Sequence, residues 1–206
     1  MPSRSYSRFA GYAALGAGVC LIVYSYAFIF LFFLKQSPVL GGYLYSIAQL
    51  LGGLLTAIAL VAAYQRVRAT DESFALLALV FSVGGALGSA IHGGYDLGVF
   101  ANPPNTNPLE AANLPAPIDP RGLLTFGVAS IGLFVLAWLM ERSTQFPKYL
   151  AYVGYLAALL MLVLYLGRLI ILDPSQPVIL FTALFVGFII NPVFYIWLGL
   201  HLLRSK

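Results

Sequence analysis

Six long apolar runs dominate this sequence and constrain its fold more than any other feature. They cover about Phe9–Leu34, Leu40–Tyr64, Phe74–Phe100, Gly122–Met140, Tyr149–Leu172 and Val178–Leu203. About 20 apolar residues are needed for a helix to cross a hydrocarbon core about 30 Å thick. The runs are continuous rather than alternating between apolar and polar, which favours helices over a transmembrane β-barrel. We therefore predict an all-α, polytopic integral membrane protein: a six-transmembrane-helix bundle that forms a single membrane domain over residues 1–206.

The charged residues are few, and their placement predicts the orientation of the bundle. Only 9% of residues are charged against 61% that are hydrophobic, whereas soluble domains carry about 25% charged residues. Six spans place both chain ends on the same side of the membrane. Of the 11 Lys and Arg residues, eight lie on that side: Arg4, Arg8, Arg66, Arg68, Arg142, Lys148, Arg204 and Lys206. The other three are Lys35, Arg121 and Arg168. By the positive-inside rule both termini are predicted to be cytoplasmic, and no nucleic-acid partner is expected.

The connection over residues 102–120 is the longest, and it is predicted to lie outside the membrane. It contains six prolines and four asparagines, which disfavour a continuous helix. Long loops of this kind are lids, binding loops or extended crossovers. No Asn-x-Ser/Thr sequon occurs in the chain, which favours a prokaryotic origin and hence a prokaryotic plasma membrane.

A motif at the fourth and fifth runs gives a family resemblance. Leu133-Phe134 is followed by Glu141-Arg142-Ser143 and then by the stretch Phe146-Pro147-Lys148-Tyr149-Leu150-Ala151-Tyr152-Val153-Gly154. This pattern resembles a bacterial multi-span membrane family, domain of unknown function 4386, over about a quarter of the chain. The resemblance implies a bacterial origin and six spans, and it implies no catalytic residues.

The third run carries the most informative polar residues. Gly84, Gly88, His92 and Asp96 are spaced by four and therefore lie along one narrow stripe of a helix. Gly84-x-x-x-Gly88 is a small-xxx-small pattern that lets a neighbouring helix approach closely. Ionisable groups inside a membrane face protein or water and are functional candidates by default. We therefore expect the His92–Asp96 face to be buried, and the Gly84/Gly88 face is a candidate contact for partner subunits or a homo-oligomer.

A polar layer is predicted at the depth of His92. His92 lies about 27 Å along its helix and Arg168 about 28 Å along the fifth, at 1.5 Å per residue. The same layer is predicted to contain Tyr45, Gln49 and Tyr165, while Asn191 stands before Pro192 in the inner half of the sixth run, where proline should kink the helix. The predicted ligand-binding residues are thus His92, Asp96, Arg168, Tyr45, Gln49, Tyr165 and Asn191, lining an outward-facing pocket.

The chemistry of this layer permits two interpretations. Asp96 beside His92 would hold the imidazole tautomer and suit proton relay or general base work. The alternative partner of Asp96 is Arg168, and that pair would cancel two costly charges. The sequence leaves both partners open.

Three functions follow, in order of preference. The first is binding or transport of a small polar or anionic molecule, with Arg168 meeting an anion. The second is an accessory or structural subunit of a larger membrane complex. The third is a membrane enzyme that uses His92–Asp96 as an acid–base pair on a lipid-like substrate, although no catalytic residue can be assigned. No cofactor and no metal are expected, because two histidines at opposite membrane faces do not make a zinc site. The aromatic residues are interpreted as interface anchors and packing rather than as an aromatic cage.

Overall fold

The computed structural model describes residues 3–102, 122–171 and 176–204, apart from the side chain of Arg168. All regular structure in these ranges is helical. Six helices are long and apolar enough to cross a membrane: α1 Arg4–Phe33, α2 Pro38–Val67, α3 Glu72–Ala101, α4 Leu123–Arg142, α5 Lys148–Ile171 and α6 Pro177–Arg204. The predicted all-α class is confirmed for the described residues, as are six helices long and apolar enough to span a membrane. The predicted loop 102–120 lies outside the described residues, apart from Asn102.

The helix ends follow local sequence signals. The side chain of Asp71 accepts a hydrogen bond of 3.1 Å from the Phe74 backbone N–H and caps α3, and Asp is among the favoured N-cap residues. Ser3 caps α1 in the same way, through the Tyr6 N–H at 3.3 Å. Beyond α1, Lys35 adopts a φ of 57°, a left-handed conformation that ends a helix and lets the chain turn into α2.

The helices form a closed ring. Each packs against the next along the chain, and α6 returns to pack against α1. Small residues permit this closure, since a Cβ on Gly11 of α1 would lie 2.7 Å from Leu203 Cγ of α6. We call the end of the bundle with Arg4 and Arg204 the terminal face, and the opposite end, with the turn at residues 34–37, the far face.

Two hydrophobic clusters divide the interior. The larger fills the terminal half and includes Ala10, Leu60, Val67, Leu139, Met140, Leu150, Phe194, Leu198 and Leu202. The smaller, which we call the aromatic cluster, lies toward the far face and contains Ala27, Phe32, Tyr45 and Phe100 with Tyr24, Phe28, Leu31 and Tyr43 packed against them. Large apolar side chains such as Ile91, Tyr149, Ile170 and Phe181 point outward, as they do in proteins surrounded by lipid.

Three helices contain π-helical segments: Ala27–Phe33 in α1, Leu123–Val128 in α4 and Val186–Ile190 in α6. The segments in α1 and α4 lie at the far-face ends of their helices, and the segment in α6 lies near its middle. The segment in α6 directly precedes Asn191-Pro192, the position where the sequence predicts a kink. Proline removes an N–H from the helical ladder, and a wider π turn is one way to accommodate that loss.

Candidate functional site

Asp96 of α3 is the centre of the candidate site. The residue is 2% exposed, although it lies on a helix that is long and apolar enough to span a membrane. Asp96 Oδ2 lies 3.5 Å from His92 Nε2 and accepts a hydrogen bond of 3.1 Å from the Tyr45 hydroxyl. His92 and Asp96 thus lie side by side, as their spacing by four implies, and Tyr45, which the sequence placed in the same layer, contacts Asp96 directly.

Glycines bring α2 close enough for this contact. A Cβ on Gly93 would lie 2.5 Å from Leu50 N and 2.6 Å from Ser46 O, so the two backbones almost touch one turn from Asp96. Nearer the far face, the Tyr43 hydroxyl donates a hydrogen bond of 2.8 Å to the Phe100 carbonyl. These contacts fix the register of α2 against α3 and place the Tyr45 hydroxyl opposite Asp96.

The ring of Tyr45 is held by four other rings. Their centroids lie 5.3 Å (Phe28), 5.3 Å (Phe32), 6.0 Å (Phe100) and 6.1 Å (Tyr24) from that of Tyr45, all in edge-to-face arrangements. Edge-to-face pairs are favourable because the positive ring edge meets the negative ring face. The cluster also excludes water from the Tyr45–Asp96 hydrogen bond, which strengthens the electrostatic interaction.

Gln49 is a fourth polar residue of the site. It lies one turn from Tyr45 on α2 and is 6% exposed, and a Cβ on Gly93 would lie 3.0 Å from Gln49 Cβ. Its Oε1 has no hydrogen-bond partner among the described residues. A buried amide oxygen without a donor costs about 1–3 kcal/mol, so this position favours an additional hydrogen-bond donor.

The remaining predicted residues lie elsewhere or are not fully described. The ring of Tyr165 packs against Gly127 of α4. Arg168 lies on α5, but the predicted Asp96–Arg168 pair depends on a side chain outside the described part. Asn191 is buried on α6, next to the contact between α6 and α1 rather than beside Asp96.

The two glycines of the third run have different surroundings within the chain. A Cβ on Gly88 would lie 2.6 Å from Leu124 Cβ of α4, whereas Gly84 has open space around it. The adjacent Gly85 makes the closest approach to α4, at Ala129. Within the chain, α4 therefore packs against Gly85 and Gly88 and leaves Gly84 uncovered, and the contact of the Gly84/Gly88 face with a partner subunit or a second copy stays a prediction.

The aromatic cluster was the main feature that the sequence did not predict. Tyr24, Phe28, Phe32 and Phe100 surround Tyr45 instead of serving only as interface anchors. Three of them come from one stretch at the far end of α1, whose sequence Tyr24–Phe33 contains six aromatic residues. Rings repeated at i and i+4 in this stretch were the available signal, since such residues share one helix face.

Among the described residues, no group of three or more His, Cys, Asp or Glu side chains could hold a metal ion. His201 lies at the terminal face, with its Nε2 2.7 Å from the Gln145 carbonyl oxygen, far along the bundle from His92. The chemistry of the site is therefore that of a phenol, a carboxylate and an imidazole, groups that share and exchange protons.

Comparisons with known proteins give no relative to guide this interpretation. No family model matches the chain, and no curated protein or solved structure matches it significantly. The resemblance to domain of unknown function 4386 stays a prediction.

Proposed function

We propose that this membrane protein binds or transports a small polar molecule at the site formed by Asp96, His92, Tyr45 and Gln49. The observation that carries the proposal is an aspartate that is 2% exposed on a helix long and apolar enough to span a membrane. Charged groups inside a membrane are costly and are retained mainly where they serve a ligand, ion or proton pathway. Imidazole ionises near neutral pH, so His92 couples ligand binding to protonation.

The distribution of polar and apolar groups supports access from the far face. The terminal half of the ring is filled by the larger apolar cluster, whereas the polar groups of the site lie toward the other end. His92 retains a side-chain exposure of 14%, and this makes it the member of the pair that a ligand or proton reaches first.

The membrane orientation belongs to the same proposal. The terminal face carries Arg4, Arg8, Arg66, Arg68, Arg142, Lys148 and Arg204, and positive residues favour the cytoplasmic side. We place both termini in the cytoplasm of a prokaryotic cell, with the protein in the plasma membrane and the site open to the outside.

A ligand screen tests the proposed function. The purified chain in detergent is screened by thermal unfolding against amino acids, sugars, amines and carboxylates, and hits are followed by uptake into proteoliposomes with and without a pH gradient. Asp96→Asn and His92→Ala are expected to abolish stabilisation and uptake. Glu141→Gln is the matched control, because Glu141 accepts a hydrogen bond of 2.8 Å from Tyr155 away from the site. Full activity of both Asp96 and His92 variants would contradict the proposal.

One observation favours the accessory-subunit alternative. A Cβ on Gly84 or on Gly98 would meet no atom within 4 Å, so the outward face of α3 has room for a neighbouring helix to approach. Stoichiometric co-purification of another membrane chain, lost in Gly84→Leu and kept in Asp96→Asn, would favour this function over ligand binding.

A further inference from the structure

The π-helical segment of α6 leaves one backbone carbonyl without a helical donor. The Asn191 N–H bonds to the Val186 carbonyl, five residues earlier. In an α-helix that N–H would have bonded to the carbonyl of Gly187. The π-helical donor to Gly187 would be residue 192, which is proline and has no N–H. Both the α-helical and the π-helical partner of the Gly187 carbonyl are therefore missing.

A second unsatisfied oxygen lies one helical turn away. Asn191 is 7% exposed, and its Oδ1 accepts no hydrogen bond from any residue that the structure describes. Gly187 and Asn191 are four residues apart, so they lie on the same side of α6. Asn191 is about 20 Å along the helix axis from Arg204, near the middle of the span.

A third oxygen reaches the same place from α1. Ser25 is 3% exposed, and its Oγ packs so closely on Gly187 that any side chain there would overlap it. The absence of a side chain at Gly187 thus allows the serine hydroxyl to reach the helix backbone beside the unsatisfied carbonyl. Helices α1 and α6 together place a hydroxyl, a carbonyl and an amide oxygen within about one helical turn of each other.

We propose that Ser25 Oγ, the Gly187 carbonyl and Asn191 Oδ1 form a binding site for Na⁺. Hard cations take oxygen ligands, and carbonyls released by a broken membrane helix coordinate Na⁺ in transporters. The three oxygens are neutral, which suits a monovalent ion better than a divalent ion, whose sites are built on carboxylates. The tight contact between Ser25 and Gly187 favours a small ion over K⁺. The site is separate from Asp96 and His92.

Thermal unfolding of the purified full chain in detergent tests this site. NaCl is titrated against choline chloride at constant ionic strength, with KCl as a third series. Binding to the folded state raises the unfolding temperature in a saturable way, and this rise is expected with NaCl and not with KCl. Identical curves in NaCl and choline chloride, as expected for a site holding only water, would overturn the proposal.

Variants assign the effect to the three oxygens. Asn191→Ala and Ser25→Ala each remove one ligand. Each is expected to raise the Na⁺ concentration at half-saturation roughly tenfold. Pro192→Ala supplies a new N–H to the helix and is expected to weaken Na⁺ binding by a similar factor. The matched control is Ser82→Ala, which removes a buried hydroxyl between α3 and α4 and should leave the Na⁺ response unchanged.

Two further results separate this site from the proposed function. Asp96→Asn and His92→Ala are expected to keep the full Na⁺ response, and loss of the response in both would place the ion at Asp96 instead. Equilibrium dialysis with radiolabelled Na⁺ gives a readout that does not depend on stability, should Asn191→Ala unfold. Unchanged Na⁺ binding by Ser25→Ala and Pro192→Ala would overturn the assignment to these oxygens.

Discussion

Tyr45 combines the two kinds of interaction that hold the far half of the bundle. Its ring contacts four aromatic neighbours, and its hydroxyl donates to the buried Asp96 carboxylate at 3.1 Å. The packed rings fix the orientation of the Tyr45 side chain and so hold its hydroxyl against Asp96. The hydrogen bond offsets part of the cost of burying the carboxylate. Packing and electrostatics at this residue can be separated by substitution.

Tyr45→Phe removes the hydrogen bond and keeps the ring. We expect it to lower the free energy of unfolding by about 1–3 kcal/mol, the cost of a missing hydrogen bond to a buried charged group. Tyr45→Ala also empties the aromatic cluster and should cost about 3–5 kcal/mol. Reversible unfolding in mixed micelles measures both.

The control for this comparison is Tyr12→Phe, because Tyr12 is 60% exposed and should change stability by less than about 0.5 kcal/mol. A Tyr45→Phe protein as stable as the unmodified chain would show that the hydroxyl contributes nothing to the buried carboxylate.

At the scale of the helices, each π-helical segment coincides with a close contact at a glycine. Gly41 of α2 packs on Leu31 and Phe32 in the segment of α1. Gly85 and Gly88 of α3 approach Leu124 in the segment of α4. In α6 the glycine, Gly187, lies within the segment itself and meets Ser25. A wider turn pushes the backbone toward its neighbour, and only a glycine leaves room for that approach.

Two adjacent glycines of α3 make a matched test of this contact. A Cβ on Gly85 would overlap Ala129 and lie 2.9 Å from the Leu124 carbonyl oxygen, whereas a Cβ on Gly84 would meet nothing within 4 Å. We expect Gly85→Ala to destabilise the bundle by about 1–3 kcal/mol through overpacking. Gly84→Ala should be neutral or stabilising by about 0.5–1 kcal/mol, because alanine is the better helix former. Equal stabilities for the two variants, measured by thermal or denaturant unfolding, would contradict the close contact of α3 with α4.

For the whole molecule, the membrane orientation can be measured with two single cysteines. Gln36→Cys lies in the far-face turn and Thr144→Cys in a turn at the terminal face, and both positions are exposed. In a background where Cys20, the single native cysteine, is replaced by Ala, a membrane-impermeant maleimide should label Gln36→Cys in intact cells. It should label Thr144→Cys only after lysis. The reverse pattern would overturn the orientation drawn from the positive residues.

The hydropathy pattern predicts most of this architecture, because the length and composition of a segment alone decide whether it can span a membrane as a helix. The six helices begin and end within a few residues of the apolar runs, and His92 and Asp96 meet because spacing by four is a local geometric fact. Tertiary packing decides the rest. The way α3 packs on α4 covers Gly88 and leaves Gly84 open, and the ring positions around Tyr45 depend on three helices at once. The π-helical segments have no sequence signal distinct from that of an ordinary apolar helix, apart from the proline at 192.

The closed ring has a consequence for how the protein is made. Helix α1 packs against α2 on one side and α6 on the other. Of these two neighbours, α2 is synthesised directly after α1, and α6 is the last of the six helices to be synthesised. Helix pairs such as α2 and α3 can assemble while the chain is still leaving the ribosome, but one flank of α1 must wait until α6 has entered the membrane. Until then its small residues, among them Gly11 and Gly18, remain open to lipid or to a chaperone. The close contact between Gly11 and Leu203 is therefore among the last to form.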